Sequence, residues 1–194
     1  MALIISLTAS GIYTALRQYL KDTLTLDDDK VRRAYVDNIP TPYPYPFVYV
    51  SILSPKRNST NTNTYDTTNN KSAKSASYVL DVQLDFYGQN SIDLATIVKT
   101  LFRDEYSVNY FADLGLVPLY ADDITQTGGE DEKGNFMVRN NMTLHFNIQP
   151  SVSVAQQFFD TITLNVRNAE IPAEENAVNT ESNNSNETTP EGEI

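Results

Sequence analysis

Hydrophobic and polar positions alternate most regularly between Tyr78 and Arg103. Tyr78, Leu80, Val82, Leu84 and Phe86 share one side of a two-residue period, and Asp81, Gln83 and Asp85 share the other. This is the pattern of a half-buried strand. A helix is predicted at once after it. Gly88 permits the turn, Ser91 can cap the first amides and Asp93 suits the positive helix end, while Leu94, Val98, Leu101 and Phe102 recur at helical spacing.

The same reading extends along the chain. Thr8 or Ser10 can cap a first helix in which Ile12, Leu16 and Tyr19 or Leu20 share a face, ending near Lys21. Phe47 to Leu53 reads as a strand, with Val48, Val50 and Ile52 on one side and Phe47, Tyr49 and Ser51 on the other. Tyr106 to Asp113 reads as the end of the central helix or a turn into Gly115. Leu116 to Ile124 reads as a short edge strand interrupted by Pro118. Gly128, Gly129 and Gly134 mark a polar turn. Asn135 to Gln149 then reads as a strand with Met142, Leu144, Phe146 and Ile148 facing in and Asn141, Thr143, His145, Asn147 and Gln149 facing out. Gln157 to Val166 is a last strand, with Ile162, Leu164 and Val166 at period two. Strands and helices that do not alternate strictly predict an α+β domain: a mostly antiparallel sheet of four to five strands flanked by two or more helices.

Three stretches depart from these periods. Pro40, Pro42, Pro44 and Pro46 fall at every second position with Tyr43 and Tyr45 between them, so the chain there is extended and helix-free. The track suits either a ligand for a proline-binding module or an approach segment packed on its own domain or a neighbour; running straight into a strand favours packing. Residues 55–77 are rich in Asn, Thr and Ser and nearly free of aliphatic side chains, the composition of a disordered or partner-ordered loop at the tip of a long hairpin. That loop is locally basic, with Lys56, Arg57, Lys71 and Lys74 against Asp66. Residues 170–194 lack periodicity and predict a disordered acidic tail, leaving 1–169 as a single domain.

Composition narrows the function. The chain has 194 residues and a net charge of -11. Seven Glu and no Lys or Arg lie within 170–194, which leaves -4 on the remainder. An acidic body repels phosphate, which argues against a DNA-coating role but not against guiding DNA past a surface. With no cysteine there is no disulfide framework and no thiolate zinc site. No apolar run approaches the ~20 residues of a membrane helix, so no membrane partner is expected. The opening MALIISLTASGIYTALRQYL lacks a basic leader region and reads as a folded helix rather than a signal peptide.

Candidate chemistry is sparse. Asp27, Asp28 and Asp29 lack the alternation, central glycine and distal Glu of a calcium loop and read as a solvated acidic turn. His145, the single histidine, sits on a polar strand face without a serine or carboxylate motif and reads as a surface imidazole. Asp81 and Asp85 stand about 13 Å apart at ~3.3 Å per residue, too far for a glycosidase pair, and read as solvent or interface charges. Arg32, Arg33, Arg103 and Arg139 are scattered, suiting intersubunit pairing or solvation. No phosphate-cradling loop, nucleophile elbow or cofactor motif occurs, so neither an enzyme nor a cofactor is expected.

The order of four segments resembles the bacteriophage neck and tail-terminator family. They are NIPTPYPYPFVYVSIL (38–53), LDVQLDFYGQNSIDLATIVKTLFR (80–103), LGLVPLYADDI (114–124) and VRNNMTLHFNIQ (138–149). The likeness runs from Ser10 to Val166 and leaves out the Asn/Thr loop and the tail. It implies a virion structural protein of the tail or neck, assembled in the host cytoplasm. Such a subunit forms a homo-oligomeric ring, commonly hexameric, that caps the tail tube protein and meets head-completion or connector proteins, while DNA passes non-specifically through the lumen. Candidate interface residues on this reading are Tyr43, Tyr45, Phe47, Tyr49, Arg57, Lys71, Lys74, Asp81, Gln83, Asp85 and Arg139, with Gly88 and Ser91 forming the structural turn. The 12 tyrosines suit interfaces, being large, rigid and able to donate one hydrogen bond. The alternative from the residues is a carbohydrate- or receptor-binding appendage module, drawn from the abundant Tyr and Asn.

Overall fold

A computed structural model describes residues 4–35, 44–130 and 136–157. Tyr43 with most of the Pro-Tyr track, Gly134, the strand expected up to Val166 and the acidic tail lie outside the described residues. In chain order the elements are β1 (Ile4–Ile5), α1 (Ala9–Leu24), β2 (Val31–Arg33), β3 (Phe47–Arg57), β4 (Thr62–Asp66), β5 (Lys71–Ser75) and β6 (Tyr78–Tyr87). They continue with α2 (Ser91–Leu101), α3 (Glu105–Ala112), β7 (Leu116–Ala121), β8 (Thr125–Glu130), β9 (Phe136–Ile148) and β10 (Ser151–Ala155). The fold is α+β.

The central sheet runs β2-β3-β6-β9-β7, with β8 paired to the far end of β9. Only β2 and β3 are parallel. On one face, Val48 and Val50 of β3, Leu80, Val82, Leu84 and Phe86 of β6, and Met142, Leu144 and Phe146 of β9 join one core with the three helices. Each strand supplies this row because its side chains alternate, as the two-residue period requires.

The helices follow their caps. Thr8 caps α1 by accepting from the Gly11 amide at 3.1 Å. The helix runs to Leu24 rather than Lys21, because Leu24 prolongs the Ile12, Leu16, Leu20 stripe, and Thr25 then ends it in the left-handed region at φ 53°. Residues 106–113 are not the tail of the central helix. Asp104 accepts from the Tyr106 amide and starts α3 afresh. Its Phe111 then meets Tyr19 of α1 and Phe146 of β9, with centroids at 4.8 and 5.3 Å.

The sheet content exceeds the expected four to five strands. The central sheet has six strands, and β1-β10-β5-β4 forms a second sheet of four. Residues 55–77 are therefore an ordered arm rather than a disordered loop: β3 continues to Arg57, and β4 and β5 form a hairpin that docks by β5 on β10. Gly128 and Gly129 likewise lie in β8, not in a turn. These strands carry sequences such as TNTYD, KSAKS and TQTGGE. They are held by backbone ladders, which apolar alternation does not report.

Candidate functional interface

The turn after β6 positions everything around it. Gly88 adopts φ +114°, and a Cβ there would stand 3.0 Å from Tyr45 Cβ. Only glycine fits without strain. Its amide donates to the Val138 carbonyl at 3.1 Å, tying the turn to β9. Ser91, expected as the helix cap, is instead the first residue of α2, after an N-cap at Asn90. It is buried, and its Oγ accepts from the Asn140 side-chain amide at 2.7 Å. A buried amide needs this acceptor more than the helix end needs a cap.

All three helices cover the same face of the central sheet, so the side chains of opposite parity are presented away from them. Here the expected aromatic residues meet. Phe47 is fully buried between Tyr45 and Tyr87, with centroids at 5.4 and 4.7 Å and near-parallel rings. Tyr49 meets Phe47 and Tyr87 edge-on at 5.3 and 5.6 Å. The Tyr45 hydroxyl reaches Met137 Sδ at 2.9 Å. Offset and edge contacts of this kind fix ring orientation as well as burying area.

Beside the rings, Arg139 donates to Asp85 Oδ1 from Nε at 3.1 Å and from Nη2 at 2.8 Å, and its guanidinium lies 5.8 Å above the Tyr87 ring. Gln83 donates to both Asp85 oxygens at 3.0 and 3.2 Å. Burial draws the Arg139 pKa down, but the Asp85 carboxylate outweighs it and raises the net value. Burial pushes the Tyr87 hydroxyl up. Arg32, Arg33, Tyr35 and Tyr49 complete a cleft of about 270 Å³ over this pair.

A second cluster sits further along β6. His145 Nδ1 lies 2.7 Å from Asp81 Oδ1, and Lys56 Nζ lies 2.8 Å from Asp81 Oδ2. His145 Nε2 stands 3.2 Å from Asp122 Oδ1 without an aligned hydrogen bond, and Tyr120 stacks on the imidazole at 4.2 Å. Burial works against the Asp81 carboxylate, yet the hydrogen bonds from Lys56 and His145 win and hold its pKa below the usual value.

The expectation of solvent-facing side chains is corrected here. His145 was expected as a surface imidazole, and Asp81 and Asp85 as solvent or interface charges. They do point away from the helices, but all three are buried: both carboxylates are paired within the chain, and His145 meets Asp81 through Nδ1 while its Nε2 has no aligned hydrogen bond among the described residues. Arg139 is not isolated. Of the other expected interface residues, Arg57, Lys71 and Lys74 are exposed on the arm and are not gathered with the aromatic cluster; Arg57 instead donates to the Ser59 carbonyl and Asn61 Oδ1. The acidic turn is tied down as well, Asp28 pairing with Arg17 and Lys21. The role of Lys56, Asp122 and Tyr120 was hidden, since it depends on which residues of β3 and β7 flank β6 and β9.

Charges that neutralise one another within the chain hold this face of a helix-backed sheet, and together they make an α+β domain with no assembled catalytic constellation among the described residues. A family model described as phage neck terminator protein matches residues 10–174, and the chain belongs to that family. The family is a structural phage component of the neck and tail rather than a known enzyme class. No curated protein matches the chain. Among the described residues, no helix is long and apolar enough to cross a membrane.

Proposed function

We propose that the protein ends the phage tail as a ring of identical subunits, commonly six, seated between the tail tube and the head-completion or connector proteins. The observation that supports this reading is the helix-free face of the central sheet: the buried charges of Asp81, Asp85 and Arg139 are already paired inside the subunit, so a neighbour can cover them without stranding a lone buried charge. Tyr45 remains partly exposed at its margin, and Tyr49 is half-buried there. Residues 1–169 act as the assembling domain and 170–194 as an acidic extension. DNA passes through the lumen, which the acidic balance keeps from sticking to phosphate. The subunit assembles in the host cytoplasm and ends in the virion neck, with no catalysis and no cofactor.

The test is light scattering over a concentration series, with negative-stain imaging of the protein and of its parent particle. Rings, and density for the protein at the neck, are expected. Monomers at every concentration together with a particle neck lacking the protein would overturn the reading. The aromatic cleft beneath Tyr35 favours one other reading, a glycan-binding appendage. Saturable binding of a defined oligosaccharide by the monomer, lost in Tyr49→Ala, would replace the ring with that module.

A further inference from the structure

The helix-free face of the central sheet is not neutral everywhere. Along its β2 edge the cleft of about 270 Å³ is lined by three arginines, Arg32, Arg33 and Arg139, against one carboxylate, Asp85. Arg139 is already paired with Asp85. Arg32 is the register partner of Tyr49, which sets it on this face beside that ring. Its Nε donates to the Asp29 carbonyl at 2.8 Å and steadies the side chain. The acid of Asp29 itself is taken by Lys30. Among the described residues neither Arg32 nor Arg33 meets a carboxylate, so the cleft is left at +2 in a chain whose net charge is -11.

The walls are aromatic. Tyr49 and Tyr87 meet edge-on at 5.6 Å, and Tyr35 lines the same cleft while 94% exposed. Tyr35 sits in the left-handed region at φ 56°, a conformation unfavourable for a bulky residue, and the ring it carries is left to solvent. The volume lies below the ~300–1,000 Å³ of small-molecule pockets, which gives room for one side chain with water around it.

We propose that this cleft is a carboxylate-binding site that takes an acidic side chain from an extended acidic segment of a neighbouring protein, with Arg32 and Arg33 holding the carboxylate and Tyr35 and Tyr49 covering its methylenes. Guanidinium forks match the two oxygens of a carboxylate, and a tyrosine ring covers an apolar stem with little loss of side-chain entropy. The inference deepens the ring reading by naming what the covering neighbour brings, and it is read on binding rather than on assembly. A neutral sugar supplies no counter-charge for the two arginines whose water it would displace. A duplex presents its phosphates on a convex rod, to a chain whose net charge repels it.

Titration calorimetry on the full chain tests the site, with a capped Gly-Glu-Glu-Glu-Gly peptide and its Gln counterpart as probes. The Glu peptide is expected to bind saturably and to weaken as NaCl rises, with the Gln peptide about tenfold weaker or more. In Arg32→Gln/Arg33→Gln the melting temperature is expected to hold while affinity for the Glu peptide falls about tenfold or more. Arg103→Gln, at an exposed arginine outside the cleft, is expected to leave affinity unchanged. The comparison of the two peptides uses the unaltered protein, so it decides even where the double variant folds poorly. Equal binding of both peptides, binding of neither, or full affinity in the double variant overturns the site. Rings formed by a protein that ignores the Glu peptide overturn the cleft and spare the ring; peptide binding by a protein that never forms rings does the reverse. Random-sequence duplex DNA held more tightly than the peptide, and lost in the same double variant, replaces the acidic segment with nucleic acid.

Discussion

Arg139 and Asp85 are joined through one oxygen: Nε and Nη2 of the guanidinium both donate to Oδ1, at 3.1 and 2.8 Å. The carboxylate is buried and the guanidinium partly so, with side-chain exposures of 6% and 29%. Removing the acid strands the cation beneath Tyr35 and Tyr49. Asp85→Ala is expected to cost about 2 kcal/mol in urea unfolding, and Arg139→Met added to it should recover part of that, a coupling of about 1 kcal/mol. Strictly additive losses would mean that the pair does not stiffen this face.

Asp81 gives the stability its acid limb. Its folded pKa lies below the ordinary 3.8, because the bonds from Lys56 and His145 outweigh burial. The native state therefore binds fewer protons than the unfolded chain in mild acid. The contribution is fully present above the unfolded value and is lost as pH falls through the folded one. Urea midpoints of wild type and Asp81→Asn should differ fully above about pH 5 and draw together as pH falls through and below 3.8. A gap that stays constant across that range would contradict the pairing.

At Gly88 the backbone itself is the constraint. A Val there would hold φ +114° against its preference and set Cβ 3.0 Å from Tyr45 Cβ and 3.5 Å from Pro46 Cα, both on the approach to β3. Gly88→Val is expected to lower stability by about 1–3 kcal/mol. Thermal melting reads this directly, and near-ultraviolet dichroism should report the disturbed Tyr45–Phe47–Tyr87 stack.

What could be read from the sequence divides along a physical line. α1, β3, the β6–α2 unit and β9 bury a stripe, so Leu16, Leu80 to Phe86 and Met142 to Phe146 announce their own period. β4, β5 and β10 bury almost nothing, and their order, like that of β8, comes from backbone ladders that no side-chain alternation encodes. The polar face of β6 was legible as a face, but not as a set of ion pairs. Asp81 meets His145 because the two are register partners of β6 and β9, and Arg139 reaches Asp85 diagonally from its place opposite Tyr87. Register is a tertiary fact, and a charge whose partner lies 54 or 64 residues away reads as a free charge until the register is known.

Tyr110 contributes to the alkaline limb. Burial first, and then its hydrogen bond to Asp22 Oδ2 at 3.0 Å, raise its hydroxyl from 10.0 to about 12. The folded state holds this proton more tightly than the unfolded chain, so the contribution is whole below about pH 10 and is lost as pH rises toward 12. The phenolate absorbance of wild type minus Tyr110→Phe isolates the group. Its midpoint is expected near 12, and Asp22→Asn should draw it back toward 10, because a neutral amide no longer repels the phenolate. A midpoint near 10 in the unaltered protein would place Tyr110 in solvent and separate α3 from α1 at that corner.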